Sequence, residues 1–281
     1  METYTKIAEL KSRLAELKMK EGKTIGFVPT MGALHQGHLS LLSLCKSTCD
    51  ITLASIFVNP TQFNDKADYQ RYPRTPENDG EMLKSAGCDI IFVPGEEEIY
   101  PEKDSRIFDF GKLDKVMEGK FRPGHFNGVA QVVSRLFDIV NPDKSFFGQK
   151  DFQQVCIIKN MVRQLNLSVE IVVAPTVREP DGLAMSSRNM LLTKNQRIEA
   201  AKISQALLYA REHAFKTPVN ELAGEVIRRI NSSPELEVEY LEIVDAGDLQ
   251  AVSGWDDAGE IFACVAVHAG KIRLIDNVQL K

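Results

Sequence analysis

Apolar and polar positions follow one rhythm along this chain up to about residue 180 and another beyond it. In the first part, short β-rich runs alternate with stretches in which apolar residues recur at helical spacing. Ile7, Leu10, Leu14 and Leu17 lie among charged residues and predict an amphipathic helix over 4–20. Strands are predicted at 24–29, 51–57 and 89–93, with helices from about residue 38 and over 77–87 between them. A helix over 125–140, a short strand at 145–147, a helix over 152–165 and a strand at 169–173 continue the alternation. Such an order needs crossover connections, and therefore a mostly parallel sheet. After Pro180-Asp181-Gly182 come two helices, at about 194–214 and 218–232, then strand-like runs at 238–244, 261–267 and 272–275. Short turns such as Ala269-Gly270-Lys271 make those last strands antiparallel neighbours. The expected class is α/β, a doubly wound parallel sheet over 1–178, with a second, smaller α+β domain over 179–281.

A doubly wound sheet binds ligands beyond the carboxyl ends of its strands. Four polar loops follow predicted strands and should open onto that edge: 31–38, Asn59-Pro60-Thr61-Gln62, Gly148-Gln149-Lys150-Asp151 and Pro175-Thr176-Val177. The first, Met31-Gly32-Ala33-Leu34-His35-Gln36-Gly37-His38, joins a strand to a helix through two glycines and two histidines. A turn of this kind aims main-chain N–H groups and the positive end of the helix dipole at an anion. Gly32 and Gly37 have the spacing of a P-loop, but His38 and Leu39 stand where that motif needs Lys and Ser or Thr. His35 and His38 share one face at the helix start, where their donors can meet phosphate oxygens; a pair that merely satisfies the helix start is the plainer reading. Metal ligation is disfavoured, because no Cys or carboxylate joins them at ligand spacing.

Met185-Ser186-Ser187-Arg188-Asn189 combines two hydroxyls with a guanidinium fork suited to phosphate, although Ser187 could serve only as a helix N-cap. Lys150 is placed to reach a phosphate, with Asp151 as a cap at the next helix, and Gln154 faces the same side one turn on. Asn59, Gln62 and Asn64 offer neutral amides for hydroxyl and carboxylate groups, against the alternative of an ordinary polar surface loop. His125 is read as structural, His213 and His268 receive no role, and 96–98 is read as a solvated acidic turn.

Net charge of −5 gives no general attraction to nucleic acid, so phosphate binding has to be local. Apolar runs fall far short of the roughly 20 residues that span a bilayer, and the N-terminus lacks a signal-peptide core, which points to the cytoplasm. The five cysteines, Cys45, Cys49, Cys88, Cys156 and Cys264, sit in apolar contexts and read as buried free thiols.

With MGALHQGH at 31–38, VNPTQF at 58–63, FFGQKDFQQ at 147–155 and MSSRN at 185–189, the chain resembles the pantoate–β-alanine ligase family nearly end to end. The HxGH run alone indicates only the broader nucleotidyltransferase superfamily, in which MSSRN takes the place of the synthetases' KMSKS loop. The resemblance implies a Rossmann-like first domain, a C-terminal domain covering the cleft and a homodimer. It implies ATP-dependent condensation of (R)-pantoate with β-alanine through a pantoyl-adenylate, with release of AMP and pyrophosphate and with Mg2+ accompanying ATP. By motif it implies ATP binding by Met31, Gly32, Ala33, Leu34, His35, Gln36, Gly37, His38, Gly148, Gln149, Lys150, Asp151, Val177, Met185, Ser186, Ser187 and Arg188. Gln62 and Gln154 fall to pantoate, Gln62 also to β-alanine, and His38 is the proton donor. Gln149 stands where many relatives have Glu; main-chain contact there would not depend on it.

The chemistry selects His35, His38, Lys150, Ser186, Ser187 and Arg188 as the set that stabilises charge gathering at an α-phosphate and its leaving group. No covalent nucleophile is required, and no protein ligand of a metal is identified. Two alternatives stay open on the sequence. A nucleotidyltransferase that ends at nucleotide transfer would need no amine substrate, and a non-catalytic nucleotide-binding module would release no pyrophosphate.

Overall fold

A computed structural model describes all residues 1–281. Its elements, in chain order, are β1 (Glu2–Tyr4), α1 (Ile7–Glu21), β2 (Ile25–Thr30), α2 (Gln36–Thr48), β3 (Ile51–Ile56), α3 (Lys66–Arg71), α4 (Pro76–Ser85), β4 (Ile90–Phe92) and α5 (Glu96–Ile99). There follow α6 (Met117–Phe121), α7 (His125–Val140), β5 (Lys144–Gly148), α8 (Phe152–Gln164), β6 (Glu170–Ala174), α9 (Lys194–His213), α10 (Val219–Asn231), β7 (Leu236–Asp245), β8 (Ile261–Ala269) and β9 (Ile272–Gln279). The chain divides into two compact units. The first comprises Met1–Phe110, Arg122–Gly148 and Gln154–Pro175; the second comprises Gly111–Phe121, Gln149–Gln153 and Thr176–Lys281. The backbone thus passes between units several times, not once after residue 178.

The first unit holds a six-stranded sheet of order β1-β4-β3-β2-β5-β6. Every pairing in it is parallel. Strand order reverses between β2 and β5, so the crevice that a doubly wound sheet offers to ligands lies beyond the ends of these two strands. Phe27, Phe92, Phe146, Leu53 and Ile90 form the fully buried centre of this layer. On one face, α7 buries nearly its whole surface, and Phe137 meets Phe27 edge to face at 6.4 Å.

The helix predicted over 4–20 begins at Ile7, and residues 2–4 form an edge strand paired with β4. Three residues carry no readable period; only the open edge of β4 makes them a strand. The acidic run at 96–98 is the start of the single-turn helix α5, and Glu98 is tied to Lys6.

In the second unit α9 and α10 cover one face of the antiparallel sheet β7-β8-β9. Ile203 and Leu207 of α9 and Leu222, Val226 and Ile230 of α10 pack with Ile261, Val265 and Val267 of β8. The segment 111–121 belongs here because polar side chains hold it. Gln153 donates to the Leu113 and Val116 carbonyls and accepts the Glu118 N–H, while Arg273 forks onto the Glu118 carboxylate at 2.6 and 2.7 Å. The third strand runs on to Gln279, beyond the apolar run that predicted 272–275. Asp276 and Asn277 are buried inside it with polar partners, a continuation that apolar periodicity cannot register.

One ion-pair cluster braces the loop before α6. Asp104 accepts from Arg106 at 2.7 Å and from Arg135 of α7 at 2.7 Å, and these guanidinium groups hold its carboxyl well below the usual carboxylate range. A lowered pKa in the folded state contributes stability that is present above the unfolded value, about 3.9, and is lost as pH falls through the folded value. Asp104→Asn is therefore expected to lower the melting temperature at neutral pH. The gap to the parent protein should narrow as the pH is taken below about 4, as thermal melts across pH would show.

Candidate active site

Between β2 and α2 the chain makes a tight turn in which Gly32 has φ +79° and Ala33 φ +49°, both left-handed. A Cβ at Gly32 would lie 2.9 Å from Asp79 Oδ2 and 3.1 Å from Ile56 Cγ2, so only glycine fits. The main-chain N–H groups of Ala33 and Leu34 donate to the Asp79 carboxylate at 2.9 and 2.8 Å, and the Thr75 hydroxyl adds a third hydrogen bond at 3.0 Å. Asp79 is only 1% exposed. The sequence leads one to expect a turn whose amides point at a bound anion; at Ala33 and Leu34 a carboxylate of the protein itself receives them. No motif marks Asp79. It is legible only as an acidic residue in the first turn of α4, where an exposed dipole partner is the ordinary assignment.

His35 is the N-cap of α2, and its Nδ1 accepts the Gly37 N–H at 3.1 Å. His38 returns the contact, with its Nδ1 accepting the His35 N–H at 3.2 Å. The rings are 4.1 Å apart between centroids. A ring nitrogen that accepts a hydrogen bond carries no proton, so each neutral imidazole bears its proton on Nε2. Capping and phosphate contact are therefore compatible: one nitrogen of each ring secures the helix start, and the other is set as a donor.

The loop after β3 is not a solvated surface loop. Asn59, 1% exposed, donates to Gln62 Oε1 at 3.1 Å and to the Gly128 carbonyl at 3.2 Å, and accepts from the Tyr100 hydroxyl at 2.8 Å. Gln62 Nε2 lies 2.9 Å from Met31 Sδ, and the Gln62 carbonyl accepts from His125 Nδ1 at 2.7 Å. His125 is thereby tied to the 60–62 turn. A Cβ at Gly128 would fall 2.3 Å from the Thr61 carbonyl oxygen, so glycine there lets α7 approach the 60–62 turn. Asn64 donates to the Pro123 carbonyl. A pocket of about 250 Å3 at the ends of β2 and β3 is lined by Met31, Gly32, Tyr69, Arg74 and Asp79 among others. Gln154 is half-buried in the first turn of α8. Tyr100, which fixes Asn59, carried no sequence signal.

In the second unit Lys150 lies in the 3-10 turn Gln149–Asp151 and pairs with the Asp151 carboxylate at 3.3 Å. The lysine expected to stand ready for a phosphate is thus held by its neighbour. Ser186, not Ser187, caps the 3-10 turn Ser187–Leu191, accepting the Arg188 N–H at 3.3 Å. Ser187 is buried and Arg188 half-buried. Val177 accepts the Met185 N–H at 3.0 Å, closing a narrow hairpin whose strands bridge at Arg178 and Ala184. Of the cysteines, Cys45, Cys88 and Cys264 are buried, while Cys49 and Cys156 are partly exposed. Burial pushes the Cys88 and Cys156 thiols up to about 11, Cys45 higher still, and Cys49 upward as well, which keeps these four as thiols and not thiolates. His213 Nδ1 donates within its own helix to the Tyr209 carbonyl at 2.9 Å, and His268 pairs with Glu239.

The model of the pantoate-beta-alanine ligase family matches residues 2–279. The chain belongs to that family. It is 50% identical to the pantothenate synthetase of Porphyromonas gingivalis over 279 residues, 99% of each chain. It is 49% identical to that of Bacteroides thetaiotaomicron, over all of this chain and 99% of the relative. Among solved structures it is similar to the pantothenate synthetase of Thermus thermophilus, with a TM-score of 0.93 and 43% identity over 100% of this chain and 99% of that one. The pantoate-beta-alanine ligase of Francisella tularensis, solved as a complex with beta-gamma ATP and beta-alanine, matches with a TM-score of 0.84 and 39% identity over 100% and 98%. As a member of this family the chain is a ligase joining pantoate to β-alanine, on an α/β fold with a smaller antiparallel domain.

Because Asp79 receives two amides of the ligase's histidine loop, Asp79→Asn should weaken both loop and enzyme. The amide nitrogen would face donors, and a lost buried acceptor costs about 1–3 kcal/mol. Ligation is expected to fall about tenfold or more, since small misplacements of reacting groups are costly, while Thr75→Ala should have a smaller effect. Steady-state assay of both variants, with circular dichroism to verify folding, checks this.

Proposed function

We propose that this ligase activates pantoate with ATP at the carboxyl edge of the six-stranded sheet. A carboxylate oxygen of pantoate attacks the α-phosphorus, the bond to the bridging oxygen of the β-phosphate breaks, and pyrophosphate leaves. The neutral amine of β-alanine then attacks the carbonyl carbon of the pantoyl-adenylate; AMP leaves with the bonding pair, and the nitrogen loses a proton. The observation that carries this reading is the reciprocal His35–His38 cap beside the strand-order reversal at β2, which sets both imidazoles at the point where a doubly wound sheet takes its ligand.

In this reading Met31 to His38, Gly148 to Asp151, Val177 and Met185 to Arg188 bind ATP, and His38 is the proton donor. His35, Lys150, Ser186, Ser187 and Arg188 share the stabilisation of charge on the phosphates. Lys150 exchanges Asp151 for a phosphate oxygen. Gln62, oriented by Asn59, and Gln154 bind pantoate, and Gln62 also meets β-alanine. ATP enters with Mg2+. Among the residues there is no group of three or more His, Cys, Asp or Glu able to hold a metal, and Mg2+ commonly keeps waters and phosphate oxygens as its ligands. The chain is assigned to the nucleotidyltransferase superfamily by its HxGH run, to the cytoplasm and to a homodimer. No helix is long and apolar enough to cross a membrane.

Pantoate and ATP alone should yield pyrophosphate and an enzyme-held adenylate, with AMP released only when β-alanine is added. Mass analysis after omission of each reactant tests this, and ADP with phosphate would rule the mechanism out. His38→Ala and Lys150→Ala should slow adenylation by roughly two orders of magnitude, as loss of a transition-state donor does. Gln62→Ala should instead weaken pantoate more than ATP, by about 0.5–1.5 kcal/mol. Single-turnover kinetics with separate titrations distinguish the two classes, and equal loss of both substrates in Gln62→Ala would contradict the division.

A further inference from the structure

Two neighbouring residues of β9, Asp276 and Asn277, are each 4% exposed, yet neither belongs to any motif. Asn277 Nδ2 donates to the carbonyls of Gln149 and Lys150, both at 2.9 Å. Asp276 accepts a two-pronged contact from Arg178, at 2.6 and 3.0 Å, and Arg178 also donates to the carbonyls of Gly182 and Asn277, at 3.1 and 3.3 Å. Arg178 bridges Ala184 across the hairpin that leads directly into Ser186, Ser187 and Arg188. The strand also packs against both 3-10 turns, Gln149–Asp151 and Ser187–Leu191. One dipeptide therefore holds the main chain of the Lys150 turn directly and, through the Arg178 guanidinium, the hairpin about thirty residues further on.

Stability alone does not explain this arrangement. Asn277 Oδ1 is buried with no hydrogen-bond partner, and Asp276 is a carboxylate taken out of water that has to be matched by Arg178. Apolar residues would fill the same strand without either penalty. What an apolar pair could not do is hold two carbonyls of the Lys150 turn and a guanidinium of the hairpin at one fixed separation. Both main-chain carbonyls at 149 and 150 are clamped, so the direction in which Lys150 leaves the backbone is fixed.

We propose that Asp276 and Asn277 are positioning residues for the ligase reaction, a common anchor that keeps Lys150 and the Ser186–Arg188 segment in register around the polyphosphate of ATP. The proposal rests on the assignment of those motif residues to ATP phosphates. It makes neither residue catalytic, since each acts through a group that it holds.

The test is a pair of double-mutant cycles on adenylation, read as pyrophosphate release in single turnover, with circular dichroism and melting to verify folding. Asn277→Ala should slow the step about 10- to 100-fold, the scale of a displaced reacting group. In a Lys150→Ala background the same change should have less than about twofold effect, because residues that act through one group are non-additive. Asp276→Asn should behave likewise against Arg188→Ala. If Asn277→Ala does not fold, Asn277→Ser, which keeps a single donor, should fall between Ala and the parent. Full activity of folded Asn277→Ala beside an impaired Lys150→Ala would overturn the anchor alone. So would multiplicative losses in the double variants, which are what a purely structural role gives. An unimpaired Lys150→Ala would instead remove the phosphate assignment, and the anchor with it.

Discussion

A buried main-chain N–H or C=O must find a partner, and in this protein the polar loops after the strands lie where the regular ladders that supply those partners stop. The fold answers with single buried side chains. Asp79 receives the amides of Ala33 and Leu34, Asn59 reaches the Gly128 carbonyl, Gln153 holds the 113–118 turn, and Asn277 holds the carbonyls of Gln149 and Lys150. Each is polar, almost wholly buried and aimed at backbone. The loops consequently have defined shapes without being helix or strand, which suits groups that must meet a substrate in one geometry.

The histidine pair shows how far this economy goes. A helix start needs acceptors for its first amides, and Ser, Thr, Asp or Asn usually provide them. Here both acceptors are imidazole nitrogens, so satisfying the helix also selects the tautomer of each ring. Ring orientation, proton position and the course of α2 are set by the same two hydrogen bonds. A substitution at either histidine thus removes a cap of α2 along with the imidazole.

Strand direction was legible in the sequence wherever periodicity was long. The βαβ alternation announced a parallel sheet, and the short turn at 269–271 announced an antiparallel one. Two pieces were not legible: β1, which exists because the edge of β4 is open, and the end of β9, which exists because Asp276 and Asn277 find buried partners. The motifs at 31–38, 147–155 and 185–189 stood out because glycine, histidine, lysine and serine cluster there without apolar periodicity, and 58–63 because it places two side-chain amides beside a proline. Asp79, Tyr100, Gln153, Arg178, Asp276 and Asn277 did not, since each is an ordinary polar residue inside a helix, strand or loop.

By itself, then, the sequence determined the alternation of elements, the class of both sheets and the location of the polar loops, because these follow from local spacing and from the chirality of crossovers. Only the tertiary structure decided which residues hold those loops. Whether a carboxylate or amide is a solvated surface group or a buried clamp depends on what lies opposite it. The pairs concerned, such as Asp79 with Ala33 or Asn277 with Lys150, are 46 and 127 residues apart. Local pattern carries no record of contacts at that range; packing creates them.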